Sequence, residues 1–121
     1  MKNVKLEKIL KSIKKPNGEF DTEKWRKLDV GTKRAIGCYE YSREYDCMII
    51  KDIWEIETEW TIDCLRACGI KEIVFAETST EATKVLRRML IKGCRVTGVR
   101  VYKTIDWGTH TEEIEGIVIE L

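Results

Sequence analysis

Cys64 and Cys68 are the two residues whose type and spacing come closest to a reactive or ligating pair. Positions i and i+4 share one face of a helix, and two thiolates there would supply half of a tetrahedral zinc site. Cys38, Cys47, Cys94 and His110, the single histidine, are the residues from which two more ligands would have to come. Structural zinc sites more often show two close pairs, and this chain has one. Both cysteines also fall on an apolar stripe with Trp60 and Leu65, where a thiol behaves as a small hydrophobe. The expectation is buried thiols and no cofactor, with zinc on Cys64 and Cys68 as the alternative.

Nothing else in the chain builds a reaction. A cysteine–histidine nucleophile would need His110 beside a thiol, and no nucleophile elbow or oxyanion motif accompanies either residue. Thr78-Ser79-Thr80 lies just past the end of a predicted strand, where α/β sheets often bind anions. It lacks the glycine-rich loop that wraps a phosphate, so Thr78-Ser-Thr-Glu81 is read as a capping box opening a helix. The chain is therefore not expected to be an enzyme.

The elements that position these residues follow from periodicity. Leu6, Ile9, Leu10 and Ile13 predict an amphipathic helix over Asn3–Lys15, followed by a Pro16-Asn17-Gly18 turn. Asp21 caps a short second helix, with Phe20 and Trp25 at the two hydrophobic-staple positions. A third helix is expected over Thr32–Tyr45, buried through Ala35, Ile36 and Tyr39 and on the side of Ser42 or Arg43. Gly37 within it costs about 1 kcal/mol relative to alanine and suggests close packing against a neighbour.

Cys47–Ile50 is short enough to be at most an edge strand. Ile53, Ile56, Trp60, Cys64, Leu65 and Cys68 then mark one stripe of a longer helix that Gly69 stops. Ile70–Ala76, the helix closed by Gly93, and Arg95–Lys103 read as a βαβ unit, and Ile114–Leu121 turns back beside it as a hairpin. Gly98 breaks the strand alternation as a bulge would. The fold class is α/β: N-terminal helices, then a βαβ unit and C-terminal hairpin in a small mixed sheet of three or four strands. One domain is expected over 1–121, helical over 1–46 and α/β over 47–121.

An apolar fraction of 43% supports a real core, and no run approaches the length of a membrane span. The N-terminus carries no signal-peptide core, so the expectation is a cytoplasmic protein with reduced thiols and no membrane partner. A net charge of +1 hides two runs of opposite sign, acidic from Glu40 to Asp63 and basic from Lys84 to Lys103. Each is read as a surface, free to steer a protein or nucleic acid. Trp25 and Trp60 fit core faces, while Trp54 and Trp107 are candidates for exposed anchors.

Phe20-Asp-Thr-Glu-Lys-Trp25, Gly31–Ser42, Leu65-Arg-Ala-Cys-Gly-Ile70, Glu77-Thr-Ser-Thr80, Gly93-Cys94 and Trp107-Gly108 follow one another in this order. The string resembles a group of small domains without assigned function on conjugative and plasmid elements of gut Firmicutes. Proteins of that size and setting include type II anti-CRISPR proteins, which inhibit the RNA-guided nuclease. The resemblance implies a non-enzymatic inhibitor whose protein partner is a type II CRISPR nuclease. The candidate contact residues are Glu55, Glu59, Arg87, Arg88, Lys92, Arg95 and Trp107. The alternatives are a nucleic-acid-binding accessory protein acting through the 84–103 basic run, or a zinc-stabilised regulatory domain.

Overall fold

The computed structural model describes residues 3–42, 45, 47–106 and 110–121, with the backbone alone for 102–106, 110–112 and 114. Local signals set most boundaries. Asn3 caps α1 (Val4–Ile13) by accepting the Leu6 N–H at 2.9 Å, and Leu6, Leu10 and Ile13 are buried. Asp21 caps α2 (Thr22–Arg26) through the Glu23 and Lys24 N–H groups, and the Phe20 and Trp25 rings meet at 5.9 Å as the staple requires. Helix α3 (Val30–Tyr41) starts two residues earlier than its apolar pattern implies, because Asp29 accepts both the N–H and the hydroxyl of Thr32.

Ala35, Ile36, Tyr39 and Ser42 form the buried side of α3 as expected. The Tyr39 hydroxyl donates to Glu7 at 2.7 Å, which ties α3 to α1. Gly37 departs from expectation: a Cβ added there would meet no atom within 4 Å, so close packing is not the reason for a glycine.

Strand β1 (Ile49–Ile50), a short 3-10 turn (Glu55–Glu57), α4 (Thr58–Ala67) and β2 (Glu72–Phe75) follow, then α5 (Ala82–Ile91), β3 (Arg95–Asp106) and β4 (His110–Glu120). Gly69 and Gly93, at φ of +77° and +91°, end α4 and α5 in the left-handed conformation that glycine adopts without strain. The sheet is mixed and four-stranded in the order β1-β2-β4-β3.

Strands β1 and β2 are parallel neighbours joined through α4. The unit β2–α5–β3 is also present, but β4 lies between its two strands and pairs antiparallel with both. Gly116 is what lets β4 take that place, since a Cβ there would run into Val74. The register shift at Val96/Gly98 is the bulge that Gly98 signals. Ile50, Ile73, Phe75 and Ile119 face the helices, and with Leu6, Ile36, Ile62 and Met89 they form one core drawn from both parts of the chain. Ile49 and Val74 alternate to the opposite face and pack with Cys47 and Ala76. Among the described residues no helix is long and apolar enough to cross a membrane.

Candidate interaction surface

The segment from Asp52 to Asp63 departs most from the periodic reading. Asp52 has φ +55°, and Trp54 is extended at φ −88°, ψ 147°, so the chain enters α4 through the 3-10 turn rather than by one continuous helix. Three residues per turn instead of 3.6 shift the phase. Ile53 stays buried at 3% exposed, but Ile56 turns outward at 94% and Trp60 at 42%. The expected stripe holds at Ile53, Cys64, Leu65 and Cys68 and is corrected at Ile56 and Trp60: the inward positions of α4 are Thr58, Thr61, Ile62, Cys64 and Leu65.

Two threonines can occupy the inner face because each satisfies its own hydroxyl. Thr58 donates to the Trp54 carbonyl at 2.9 Å and Thr61 to that of Glu57 at 2.8 Å. Arg34 locks this start from α3: its Nε donates to the Thr61 hydroxyl at 3.2 Å and its Nη2 to Glu57 at 3.1 Å. Glu57 in turn accepts the Trp54 N–H at 3.1 Å. Trp54, 71% exposed, thus stands on a fixed backbone at the entrance to the turn that carries Ile56.

The charged runs are not separate surfaces. Glu55, Glu59 and Asp63 recur every four residues along the turn and α4, and Arg88 and Lys92 do so on α5. Arg88 reaches Glu55 at 3.2 Å and Glu59 at 3.6 Å, and Lys92 reaches Asp63 at 3.0 Å. Lys84 pairs with Glu81 and Arg95 with Glu120. This corrects the reading of a basic run free of internal pairs. The Arg66 Nη1 also donates to the Lys92 carbonyl, holding the C-terminus of α5.

Of the candidate residues, Glu55, Glu59 and Arg88 are brought together, and Lys92 pairs separately with Asp63. Glu55, Ile56, Glu59 and Arg88 line a shallow cavity of about 360 Å³. Arg87 is exposed with no partner among the described residues, Arg95 lies apart on β3, and Trp107 lies outside the described residues. Helical periodicity assigns Ile56 and Trp60 to the core, and the sequence signal for their exposure is the Thr58/Thr61/Leu65 spacing, which the polarity of the threonines masks.

The expected capping box at Thr78–Glu81 is also replaced. Glu81 is the N-cap of α5 and makes no side-chain cap bond. The Glu77 carboxylate instead accepts the N–H groups of Asp52 at 2.6 Å and of Thr78 and Ser79 at 3.0 Å. These bonds hold its pKa below the usual carboxylate value, led by the Ser79 N–H. The chain's own carboxylate thus sits on the amides an external anion would use.

Cys64 and Cys68 are buried, and burial pushes both thiols up, Cys64 further through Cys68 and Asp63. Among the described residues no group of three or more histidine, cysteine or acidic side chains is placed to hold a metal.

A family model matches residues 34–121, more than half of the chain, and it spans the whole of this surface. The chain belongs to the DUF7698 family, described as a domain of unknown function. No curated protein and no solved structure matches it. Within this DUF7698 domain the surface carries exposed tryptophans and a half-exposed arginine, types enriched among the residues that dominate protein contacts.

Proposed function

We propose that this protein is a non-enzymatic binding module that engages a protein partner through Trp54, Ile56 and Trp60. Glu55, Glu59 and Arg88 form the charged rim of the contact. The observation that carries this reading is that the 3-10 turn and the start of α4 bury two threonines and leave large apolar side chains in solvent. The module works in the cytoplasm without a cofactor.

The resemblance to small mobile-element domains names the partner in this reading: a type II CRISPR nuclease. A nucleic-acid role through the 84–103 run has less support, because Arg88, Lys92 and Arg95 already face carboxylates of the same chain.

The test is titration of purified protein into a reconstituted type II nuclease with guide and target. Inhibition is expected to plateau near molar equivalence. Trp60→Ser or Ile56→Ser should weaken it by roughly thirtyfold, the loss typical of one hot-spot side chain, while circular dichroism stays native. If excess wild-type protein leaves cleavage untouched across several such nucleases, that partner is wrong. If both variants capture the same host proteins as wild type, the surface assignment is wrong as well.

A further inference from the structure

We infer that the outer edge of β3 pairs antiparallel with the same strand of a second copy of this chain, joining two sheets into one, independent of the α4 surface. Strand β3 ends the order β1-β2-β4-β3, so β4 covers only one of its two edges. Among the described residues, nothing meets the N–H and carbonyl groups of the other edge. Such a row of unmet donors and acceptors pairs readily with another extended strand. The far edge of the sheet, β1, is only two residues long.

The faces of β3 fix how that strand must approach. Val96 lies opposite Ile119 and Val99 opposite Ile117, so both valines stand on the side of the sheet that carries the helices. Val101 follows two residues on and shares that side. The three are 51%, 69% and 52% exposed, so α5 stops short of β3. The helices of a second copy stop short in the same way, and two β3 strands can meet edge to edge without a clash between helices.

Charge and symmetry favour a second copy as the occupant. A net charge of +1 sets almost no long-range repulsion between two copies. A two-fold axis normal to the sheet keeps both helix sides on one side, so one valine stripe continues into the other. The axis also sets one residue opposite itself. Arg100 or Lys103 there would put like charges face to face, and Val99 would carry the pairing through the bulge at Val96/Gly98. Val101 or Tyr102 on the axis avoids both faults, and neither register opposes two cations. Arg95, already paired with Glu120 of its own chain, takes no part.

Sedimentation velocity from about 1 μM to about 1 mM tests the pairing. The mass should rise to a plateau at twice the monomer. Over the same range the amides of residues 98–104 should shift and exchange more slowly, while those of β2 stay unchanged. Val101→Lys faces either itself or Lys103 of the copy, and should weaken association by about tenfold while circular dichroism stays native.

Val101→Glu reads the register. It weakens association if residue 101 opposes itself, and tightens it if Tyr102 lies on the axis, because glutamate then faces Lys103 of the copy. Ile91→Lys, at another exposed apolar position, should associate as wild type does. The proposal is overturned by a monomer at every concentration, by a mass that grows past the dimer without a plateau, or by amides of 98–104 that do not respond. A dimer that Val101→Lys leaves intact, or that Ile91→Lys abolishes, overturns it as well.

Discussion

Helices α4 and α5 have the same length, lie on the same core and run in the same direction, yet they solve opposite problems. Helix α5 follows the ordinary rule: Val85 and Met89 are fully buried one turn apart, with Ala82 and Leu86 beside them. Helix α4 buries Thr58 and Thr61 with Ile62 and Leu65, and sends Trp60 outward, as the 3-10 turn before it sends Ile56. The difference shows where burial alone stops explaining residue choice. A core can accept threonines that bond back to their own helix, but solvent gives no return for an exposed isoleucine and tryptophans.

The comparison can be broken first at its common ground. Leu65→Ala removes a fully buried α4 side chain and should lower unfolding free energy by about 3 kcal/mol in urea titration, the cost of any core leucine. A loss below about 1 kcal/mol would mean that α4 is not anchored as α5 is. Thr61→Val keeps the shape but removes the acceptor of Arg34 Nε, and should cost about 1 kcal/mol by the same measurement. A gain in stability would show that the inward threonine is merely tolerated.

Arg88→Ala tests the ion pairs that join the two helices. The pairs are partly exposed, so the loss should be no more than about 0.5–1 kcal/mol and should shrink further in high salt. Glu77 gives a pH dependence at the β1–β2 end of α4 and α5. Its folded pKa is depressed by the Ser79, Asp52 and Thr78 N–H groups, so its contribution is present above the ordinary carboxylate range. That contribution is lost as pH falls through the folded value. Melting curves of Glu77→Gln across acidic pH should lack this part of the slope. Smallest of all, Ile56→Ser should change stability by no more than about 0.5 kcal/mol, because the side chain is 94% exposed. A large loss in chemical denaturation would return Ile56 to the fold and take it away from a partner.

Much of the architecture is legible in the sequence, and what is not has specific causes. Helix α5 is readable because its apolar residues keep one period throughout. Helix α4 is not, because the 3-10 turn before it resets the phase and its inward threonines look like surface residues. Arg88 and Glu55 stand in separate runs of opposite charge and meet only when α5 packs beside α4. Glu77 displaced the expected capping box because a carboxylate reaching three amides satisfies more donors than one threonine hydroxyl would. Gly37 carries no marker in the sequence to separate a packing glycine from one beside open space.

The residues themselves determined where elements start and stop. Asn3, Asp21 and Asp29 cap their helices, Gly69 and Gly93 end theirs, and Gly98 places the bulge. Each of these acts within a few residues, through one side-chain hydrogen bond or one backbone dihedral. Tertiary structure alone decided that β4 enters between β2 and β3, that the acidic and basic runs pair across two helices, and that Trp54, Ile56 and Trp60 face solvent. Those outcomes depend on which surfaces meet after the chain has crossed the sheet twice, a relation that no short window of sequence contains.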